Sequence, residues 1–330
     1  MNNLVLVIGS NSFAGSNFVN YLLNKNCKVI GLSRSKENSR LFSCYKTNRN
    51  LRNFKFFRCD LNLDINKIFN IIKKHKPKII FNFAAQGLVN ESWINPSDWY
   101  ETNIISQVKL FEKIKSLKFI KKYINFSTPE VFGNNKKTLT DESIFDPSTP
   151  YAVSREAFDR HLQINSNKVK FEIIITRTAN IYGPHQKLYR VVPKAIISFF
   201  KKKNFYLDGQ GNSKRSFIFM DDVSEALFKI MNKKKNNRSY HISTRNFISI
   251  KNLIYRVAVL MDVNRTLVRK VNKDRVGKDF IYKLSSVKTL KNLNWKPYTS
   301  LDQGLLKTIN WIKKDFNMIK KIKLSYKHSK

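Results

Sequence analysis

Short apolar runs recur along this chain, and helical segments separate most of them. Most of the runs are continuous rather than alternating, which is typical of strands that are buried on both faces of a parallel sheet. The predicted strands are Leu4–Ile8, Lys28–Leu32, Phe54–Arg58, Lys78–Ala85, Lys122–Ser127, Phe171–Thr176 and Tyr240–Ser243. Strands that alternate with helices favour an α/β fold built on a doubly wound parallel sheet.

The turn after the first run has a glycine at each end. Residues Gly9 to Gly15 read GSNSFAG and lead into the helical segment SNFVNYLLNK. Glycines at these positions would let the backbone approach a pyrophosphate held at the helix N-terminus. Ser12 stands where a dinucleotide fingerprint normally carries a further glycine, so an ordinary strand-to-helix turn remains the alternative.

The next two strands end in residues suited to an adenosine. Ser33, Arg34 and Ser35 follow the second strand, and an arginine beside hydroxyls suits a 2′-phosphate. Arg34 therefore favours NADP over NAD, unless it is an ordinary surface arginine. Asp60, in the string CDLN, could meet the adenine amine or belong to the start of the next helix, with Asp64 as its cap.

A second polar cluster is predicted where the fifth strand ends. The string STPEVFG sets the Thr128 hydroxyl and the Glu130 carboxylate at the carboxyl edge of the sheet, where open α/β folds bind ligands. The string STPYAVSR opens a helix on which Tyr151 and Arg155 are four residues apart and share a face. A fixed cation favours the phenolate, so Tyr151 is predicted to be a base usable near neutral pH. A packed aromatic and a solvated helix charge are the alternative for this pair.

The charge of the chain is strongly positive but dispersed. Its 62 lysines and arginines outnumber 23 aspartates and glutamates, for a formal net charge of +39. The positive residues occur in nearly every segment rather than in one stripe interleaved with aromatic residues. We therefore expect a solvated basic surface and no nucleic-acid partner.

The remaining composition predicts a cytoplasmic protein without a metal. The cysteines Cys27, Cys44 and Cys59 lack metal-ligand spacing and resemble reduced, largely buried thiols. The five histidines also lack ligand spacing. The apolar N-terminal run is too short for a signal sequence, and no window approaches the ~20 apolar residues of a membrane span, so no membrane partner is expected.

The order of several strings resembles the extended short-chain dehydrogenase/reductase family, and within it the nucleotide-sugar 4,6-dehydratases of the dTDP-glucose and GDP-mannose kinds. The strings are GSNSFAG, CDL, NFAAQ, STPEVFG, PYAVSR, TRTANIYGP, DGQGNSKRSFIFMDDV and DRVGKD. The resemblance extends from Leu4 to about Ile312. It implies a Rossmann sheet that binds NADP or NAD, a smaller discontinuous α/β domain that binds a nucleotide sugar, and a homodimer.

The resemblance also implies roles for individual residues. Tyr151 would be the catalytic base, Thr128 would hydrogen-bond the sugar hydroxyl, Glu130 would act at C5 of the sugar, and Arg155 would replace the lysine that binds the nicotinamide ribose. The implied cofactor-binding residues are Gly9, Asn11, Ser12, Phe13, Ala14, Gly15, Ser33, Arg34, Asp60, Leu61, Ala84, Ala85, Tyr151 and Arg155. The implied substrate-binding residues are Gln86, Thr128, Asn180, Arg190, Arg215 and Arg275.

The implied reaction oxidises C4 transiently, removes the C5 proton, expels water from C6 and returns the hydride to C6. Pro129 stands where the dTDP-glucose enzymes place an aspartate that protonates the leaving hydroxyl, so Glu130 itself or a bound water would have to do so. The alternatives are a 4-epimerase or a decarboxylase of the same family, and a non-catalytic nucleotide-binding or RNA-binding protein.

The absence of repeats and long linkers predicts two interleaved domains. The dinucleotide-binding domain is predicted to comprise residues 1–180, 217–245 and 283–294. The nucleotide-sugar domain is predicted to comprise residues 181–216, 246–282 and 295–330, lying over the carboxyl edge of the sheet. We expect Arg215 to lie in a hairpin, and we expect the last dozen residues, which are basic, to be frayed.

Overall fold

The computed structural model describes residues 4–236, 238–245, 247–271, 282–326 and 328. Within these residues, seven parallel strands form the main sheet, in the order β12-β7-β5-β4-β1-β2-β3. The strands in chain order are β1 (Val5–Ile8), β2 (Val29–Ser33), β3 (Phe54–Arg58), β4 (Ile79–Asn82), β5 (Lys122–Ser127), β6 (Thr138–Leu139), β7 (Glu172–Thr178), β8 (Asn180–Tyr182), β9 (Phe205–Leu207), β10 (Lys214–Arg215), β11 (Phe217–Phe219), β12 (Ser239–Ile242), β13 (Ile248–Ser249), β14 (Val268–Lys270) and β15 (Lys283–Leu284). The predicted doubly wound parallel sheet is confirmed.

Helices connect the strands and cover both faces of the sheet. In chain order they are α1 (Phe13–Asn24), α2 (Ile65–His75), α3 (Val89–Ile94), α4 (Pro96–Tyr100), α5 (Ser106–Ile114), α6 (Pro150–Asn165), α7 (Val191–Phe200), α8 (Met220–Asn232), α9 (Ile250–Leu260), α10 (Val287–Leu293), α11 (Leu301–Lys314) and α12 (Phe316–Ile319). None of the helices in the described ranges has both the length and the apolar character needed to cross a membrane.

The side chains of β1 show how the two faces are built. Val5 and Val7 pack in one apolar core, whereas Leu6 and Ile8 pack in another. Successive side chains of a strand point to opposite faces of its sheet, so a continuous apolar run fills both cores. A third core, which includes Ile196, Leu253 and Leu305, joins α7, α9 and α11 beyond the edge of the sheet.

The site is positioned by the reversal of strand order. β1 pairs with β2 on one side and with β4 on the other, because the chain crosses back over the sheet after β3. A crevice opens outside the carboxyl ends of the strands at such a switch point. The turn after β1 and the loop after β4 therefore meet there.

Two local predictions are wrong. Arg215 does not lie in a hairpin, because β10 pairs antiparallel with the distant β13 and β9 pairs in parallel with β14. The end of the chain is not simply frayed, because Leu324 packs against the third core and His328 stacks on Trp99.

Candidate active site

The carboxyl ends of β1, β4, β5 and β7 open into one cleft of about 820 Å³. The side chains that line it come from both the sheet and the helical part around α7. Twelve of the residues predicted from the sequence line this cleft: Ser12, Phe13, Ala14, Arg34, Ala85, Gln86, Thr128, Glu130, Tyr151, Arg155, Asn180 and Arg190. The sequence therefore identified residues that the fold brings together from distant parts of the chain.

The β1–α1 turn fits a dinucleotide pyrophosphate. Gly9 has φ +82°, and a Cβ on it would lie 2.7 Å from the backbone nitrogen of Ala84. A Cβ on Gly15 would lie 2.3 Å from the carbonyl oxygen of Gly9. Ser12 needs no glycine because its φ is −68°, and its Oγ accepts a hydrogen bond from the Gly15 nitrogen at 3.0 Å to cap α1. The bare backbone at the helix N-terminus is the cradle that such a phosphate group requires.

Asn11 holds the loop after β2 in place through hydrogen bonds. Its backbone nitrogen donates to Ser33 Oγ at 2.9 Å, and its side-chain nitrogen donates to the Lys36 carbonyl oxygen at 2.9 Å. The side-chain nitrogen of Asn38 donates in turn to the Asn11 carbonyl oxygen at 2.8 Å. Asn11 and Ser33 therefore shape the loop behind the cleft, while Arg34 lines the cleft itself.

Asp60 and Leu61 lie at the end of β3, and neither lines the cleft. The Asp60 carboxylate accepts a hydrogen bond from the Asn62 nitrogen at 2.8 Å. The Asp64 carboxylate reaches back to accept one from the Asp60 nitrogen at 2.8 Å, and it makes no side-chain cap bond to α2. Asp64 thus occupies the predicted N-cap position of α2, but its side chain bonds to Asp60 instead of to the helix.

A tight turn after β5 presents Thr128 and Glu130. Thr128 Oγ1 accepts a hydrogen bond from the Glu130 nitrogen at 3.3 Å, which starts a short 3₁₀ turn over Pro129–Phe132. Pro129 suits the first position of this turn because that position needs no N–H donor. The turn holds the hydroxyl of Thr128 and the carboxylate of Glu130 at the same end of the cleft.

Tyr151 and Arg155 face this turn from α6. The Thr128 hydroxyl lies near the Tyr151 phenol and lowers its pKa. Arg155 is 5% exposed, and its Nη2 donates to the Phe126 carbonyl oxygen. Burial raises the pKa of Tyr151 above its ordinary value, and the opposing effect of Arg155 is smaller. Arg155 therefore favours the phenolate, in the direction that the sequence predicts, and acts against the effect of burial.

A buried polar network lies directly below these four side chains. The carboxylate of Asp159, on α6, accepts hydrogen bonds from Ser127 Oγ at 2.7 Å, from Asn125 Nδ2 at 3.1 Å and from Arg177 Nη2 at 2.7 Å. Asp159 and Arg177 are at most 1% exposed. The network fixes β5, α6 and β7 relative to one another, and the sequence analysis missed it. The sequence did contain a signal for this network, because polar residues such as Asn125 interrupt the apolar strands.

Asn103 was also missed. Its Oδ1 accepts from the Gln86 nitrogen at 2.8 Å, and its Nδ2 donates to the Gln86 carbonyl oxygen at 3.0 Å and to Ser154 Oγ at 2.9 Å. It lies in a π-helical turn, Glu101–Ile105, between α4 and α5. Such bulges are frequent at functional sites. Here the bulge places Asn103 where its hydrogen bonds connect Gln86, which lines the cleft, to Ser154 on α6.

Only some of the predicted substrate-binding residues line the cleft. The Oδ1 of Asn180 accepts a hydrogen bond from the Tyr282 hydroxyl at 2.7 Å. Arg215 does not line the cleft, but its guanidinium lies 4.4 Å from the centre of the Tyr282 ring, which does line it. Arg190 lines the cleft at the start of α7. Arg275 lies outside the described residues.

Lys187 also lines the cleft and was not predicted. Its Nζ donates to Asn38 Oδ1 at 3.4 Å and lies 4.4 Å from the centre of the Phe42 ring. Burial lowers the pKa of this lysine. Within the described part of the chain, no group of three His, Cys, Asp or Glu side chains is arranged to hold a metal ion. The site is therefore built from a hydroxyl, a carboxylate, a phenol and several cations.

Comparison with known proteins gives a consistent result. The protein-family model for GDP-mannose 4,6 dehydratase matches residues 6–308 of this chain. A probable dTDP-glucose 4,6-dehydratase of Sinorhizobium fredii is 27% identical over 326 residues, which cover 93% of this chain and 92% of that protein.

Solved structures with the same fold include two functional types. The dTDP-glucose 4,6-dehydratase of Bacillus anthracis, solved in complex with NAD, is 25% identical, has a TM-score of 0.85, and the match covers 96% of this chain and 98% of that one. The UDP-glucose 4-epimerase of Thermotoga maritima, solved with UDP-glucose, is 26% identical, has a TM-score of 0.84, and the match covers 95% of this chain and 99% of that one.

Proposed function

The chain belongs to the GDP-mannose 4,6 dehydratase family, and on that premise we propose that it is a nucleotide-sugar 4,6-dehydratase that acts on dTDP-glucose. The observation that supports this proposal most directly is that one cleft is lined by Thr128, Glu130, Tyr151 and Arg155 together with the start of α1. The relative from Sinorhizobium fredii bears the name of this activity.

The cofactor of this reaction is proposed to be NAD. The residues that would hold it are Ser12 to Ala14 at the start of α1, Arg34 after β2, Ala85 after β4 and Arg155 on α6. When bound there, a nicotinamide accepts a hydride from C4 of the sugar and later supplies one to C6. The related Bacillus anthracis structure was solved in complex with NAD. Arg34 is the residue that would admit the 2′-phosphate of NADP, so Arg34→Ala should weaken the binding of NADP more than that of NAD.

Tyr151 and Thr128 act at the 4-hydroxyl of the sugar. Thr128 lies near the Tyr151 phenol and lowers its pKa, and the two side chains together receive the 4-hydroxyl. Tyr151 takes the hydroxyl proton as C4 is oxidised. Because burial raises the pKa of this phenol, it needs positive charge nearby, and Arg155 supplies part of that charge.

Glu130 acts on the C5–C6 bond. The ketone formed at C4 acidifies the C5 hydrogen, and Glu130 removes that proton. Since position 129 is a proline, Glu130 is proposed to deliver the same proton to the departing 6-hydroxyl, which leaves as water. One carboxyl group then acts first as a base and then as an acid. When the hydride returns to C6, a proton from solvent is added at C5, and Tyr151 releases to solvent the proton that it took from the 4-hydroxyl.

The family alternatives receive less support from this cleft. A 4-epimerase has no use for a carboxylate at C5, whereas Glu130 lies beside Tyr151 closely enough to influence its pKa. The dehydratase therefore explains more of the side chains present.

We also propose a homodimer paired through α6. Val153 is 39% exposed and Ile164 is 66% exposed. They are eleven residues apart, or about three helical turns, so they lie on one face of the helix. Light scattering should give the mass of two chains, and Ile164→Lys should shift it towards one. A wild-type mass of one chain would contradict the proposal.

A cytoplasmic location is proposed from the cysteines. Cys27, Cys44 and Cys59 are all free thiols, and the last two are buried. Free thiols suit a reducing compartment. Fractionation of cells should find the protein with the cytoplasmic enzymes.

The activity is tested by incubating the protein with dTDP-glucose and either NAD or NADP and following product mass. The proposal predicts the loss of one water from the sugar nucleotide with no net reduction of the cofactor. GDP-mannose, UDP-GlcNAc and CDP-glucose serve as competing substrates. Accumulation of reduced cofactor, or a product of unchanged mass, would contradict the dehydratase.

A further inference from the structure

The end of the chain crosses the cleft. After α11, the short helix α12 packs on the substrate side, where the Phe316 ring lies 5.2 Å from the Phe200 ring. The backbone then continues past the cleft, and Leu324, Ser325 and Tyr326 line it. Residues 320–326 and 328 are called the C-terminal strap below.

The far end of the strap is fixed to the sheet side of the molecule. The Nε2 of His328 and a carboxylate oxygen of Asp98, on α4, are 2.7 Å apart in a hydrogen bond that the carboxylate accepts. The His328 ring also stacks on the Trp99 ring, with centroids 5.1 Å apart. The two polar side chains are only 16% and 15% exposed. The strap is thus attached at both ends, to α12 on one side and to α4 on the other.

Tyr326 is the strap residue that lies between Arg34, on the cofactor side of the cleft, and Tyr189, just ahead of α7. Its ring meets the edge of Tyr189 at 5.3 Å. The charges of Arg34, after β2, and Arg190, at the start of α7, both lower the pKa of its phenol, and that of Glu91, on α3, raises it. Burial raises the pKa of that phenol, so it stays a hydrogen-bond donor. A donor in this position suits a phosphate or ribose oxygen of a dinucleotide.

We propose that the C-terminal strap closes over the bound dinucleotide, with Tyr326 as a cofactor-binding residue, and thereby slows its release. This inference rests on the proposed function. In a 4,6-dehydratase the hydride returns to the sugar within each turnover, so the cofactor is regenerated without leaving. A cover attached at both ends is compatible with such a cycle, whereas an enzyme that exchanges its cofactor in every turnover would have to open it each time.

The test measures how fast NADH dissociates from the purified full-length protein, by its fluorescence in a stopped-flow displacement with excess NAD. Deletion of residues 323–330 and the variant Tyr326→Ala should each accelerate dissociation by about tenfold or more, since interface changes act mainly on dissociation. Tyr326→Phe keeps the ring but loses the donor, so its rate should fall between those of the wild type and Tyr326→Ala.

The attachment of the strap is tested from both sides. His328→Ala and Asp98→Asn should each accelerate NADH dissociation, and the double variant should be no faster than the faster single variant, because both changes break one contact. Lys323→Ala is the matched control, since Lys323 is exposed and does not line the cleft. It should leave the rate unchanged. Thermal unfolding of each variant verifies that it is folded.

Two results would overturn the inference. One is NADH dissociation within about twofold of the wild type in the folded deletion variant and in Asp98→Asn alike, since a tenfold change is the expected scale. The other is accelerated release of dTDP with no change for NADH, which would assign the strap to the substrate. If the wild-type protein binds no NADH at all, the proposed function fails and this inference fails with it.

Discussion

At the scale of single residues, Arg155 defines the local chemistry. Its guanidinium is buried and donates to the Phe126 carbonyl oxygen, so the strand end fixes its position. The planar guanidinium can donate to that oxygen and still direct other N–H groups into the cleft. A lysine ammonium cannot reproduce this geometry. Arg155 is therefore both a structural contact and a source of positive charge beside Tyr151.

Removal of this charge should raise the pKa of Tyr151. Burial already raises that pKa, and Arg155 opposes the rise. Arg155→Met should therefore move the alkaline rise of activity to higher pH, while Arg155→Lys should move it less, because the charge is kept. The measurement is the pH dependence of kcat in both variants. A profile that is unchanged in Arg155→Met would show that the guanidinium does not act on the phenol.

Glu130 and Pro129 test the proposed acid. Glu130→Gln should lower water elimination by about a hundredfold or more, because one carboxyl carries two proton transfers, yet leave exchange of the C4 hydrogen. Pro129→Asp adds a second carboxyl, and Pro129→Ala is its control. Since Glu130 already supplies the proton, Pro129→Asp should change the rate by less than about tenfold. A much larger gain would show that the wild-type cleft lacks an efficient acid.

At the scale of elements, α8 is held to the segment before α11 through Asp222. The fully buried carboxylate accepts hydrogen bonds from the backbone nitrogens of Tyr298 and Thr299 at 3.3 and 3.2 Å. The indole N–H of Trp295 donates to the Asp222 carbonyl oxygen at 3.1 Å. The start of α8 and the segment ahead of α11 are thus fixed to each other by one residue.

The same aspartate should make stability depend on pH. Burial raises the pKa of Asp222 to about 6, compared with ~3.9 in an unfolded chain. The folded state therefore binds the proton more tightly, and stability should fall as pH rises from about 4 to 6, by on the order of 2 kcal/mol. Asp222→Asn should show a smaller fall in unfolding free energy between pH 4 and pH 7. A fall as large as that of the wild type would exclude Asp222 as the cause.

At the scale of the whole molecule, the sequence was informative wherever neighbouring residues determine structure. Periodicity located the strands of the main sheet, and the spacing of Tyr151 and Arg155 gave one face of α6. The contacts of Asp159 with β5 and β7 depend on the packing of elements far apart in sequence, so no local pattern contained them. The contact of the strap with Asp98 also joins elements far apart in sequence, so the sequence did not predict it. The basic composition of the strap favoured fraying instead.

The two-domain division and the role of the net charge of +39 remain predictions. Three of the apolar cores in the described residues lie on the two faces of the sheet and in a part built on α7, α9 and α11, and a smaller fourth core includes Phe132. The cleft lies where the sheet meets that part, so it is lined by residues from segments as distant as Ser12 and Tyr326. A site assembled in this way depends on the complete fold rather than on any one segment.

The central claim is that a hydride leaves C4 and returns to C6 of the same sugar. The most direct measurement is to supply dTDP-glucose labelled with deuterium at C4, together with unlabelled NAD, and to locate the deuterium in the product by NMR. The account predicts a 4-keto-6-deoxy product with the deuterium at C6 and no accumulation of reduced cofactor. A product with its deuterium still at C4, or deuterium that remains in reduced cofactor while the sugar keeps its 6-hydroxyl, would contradict it.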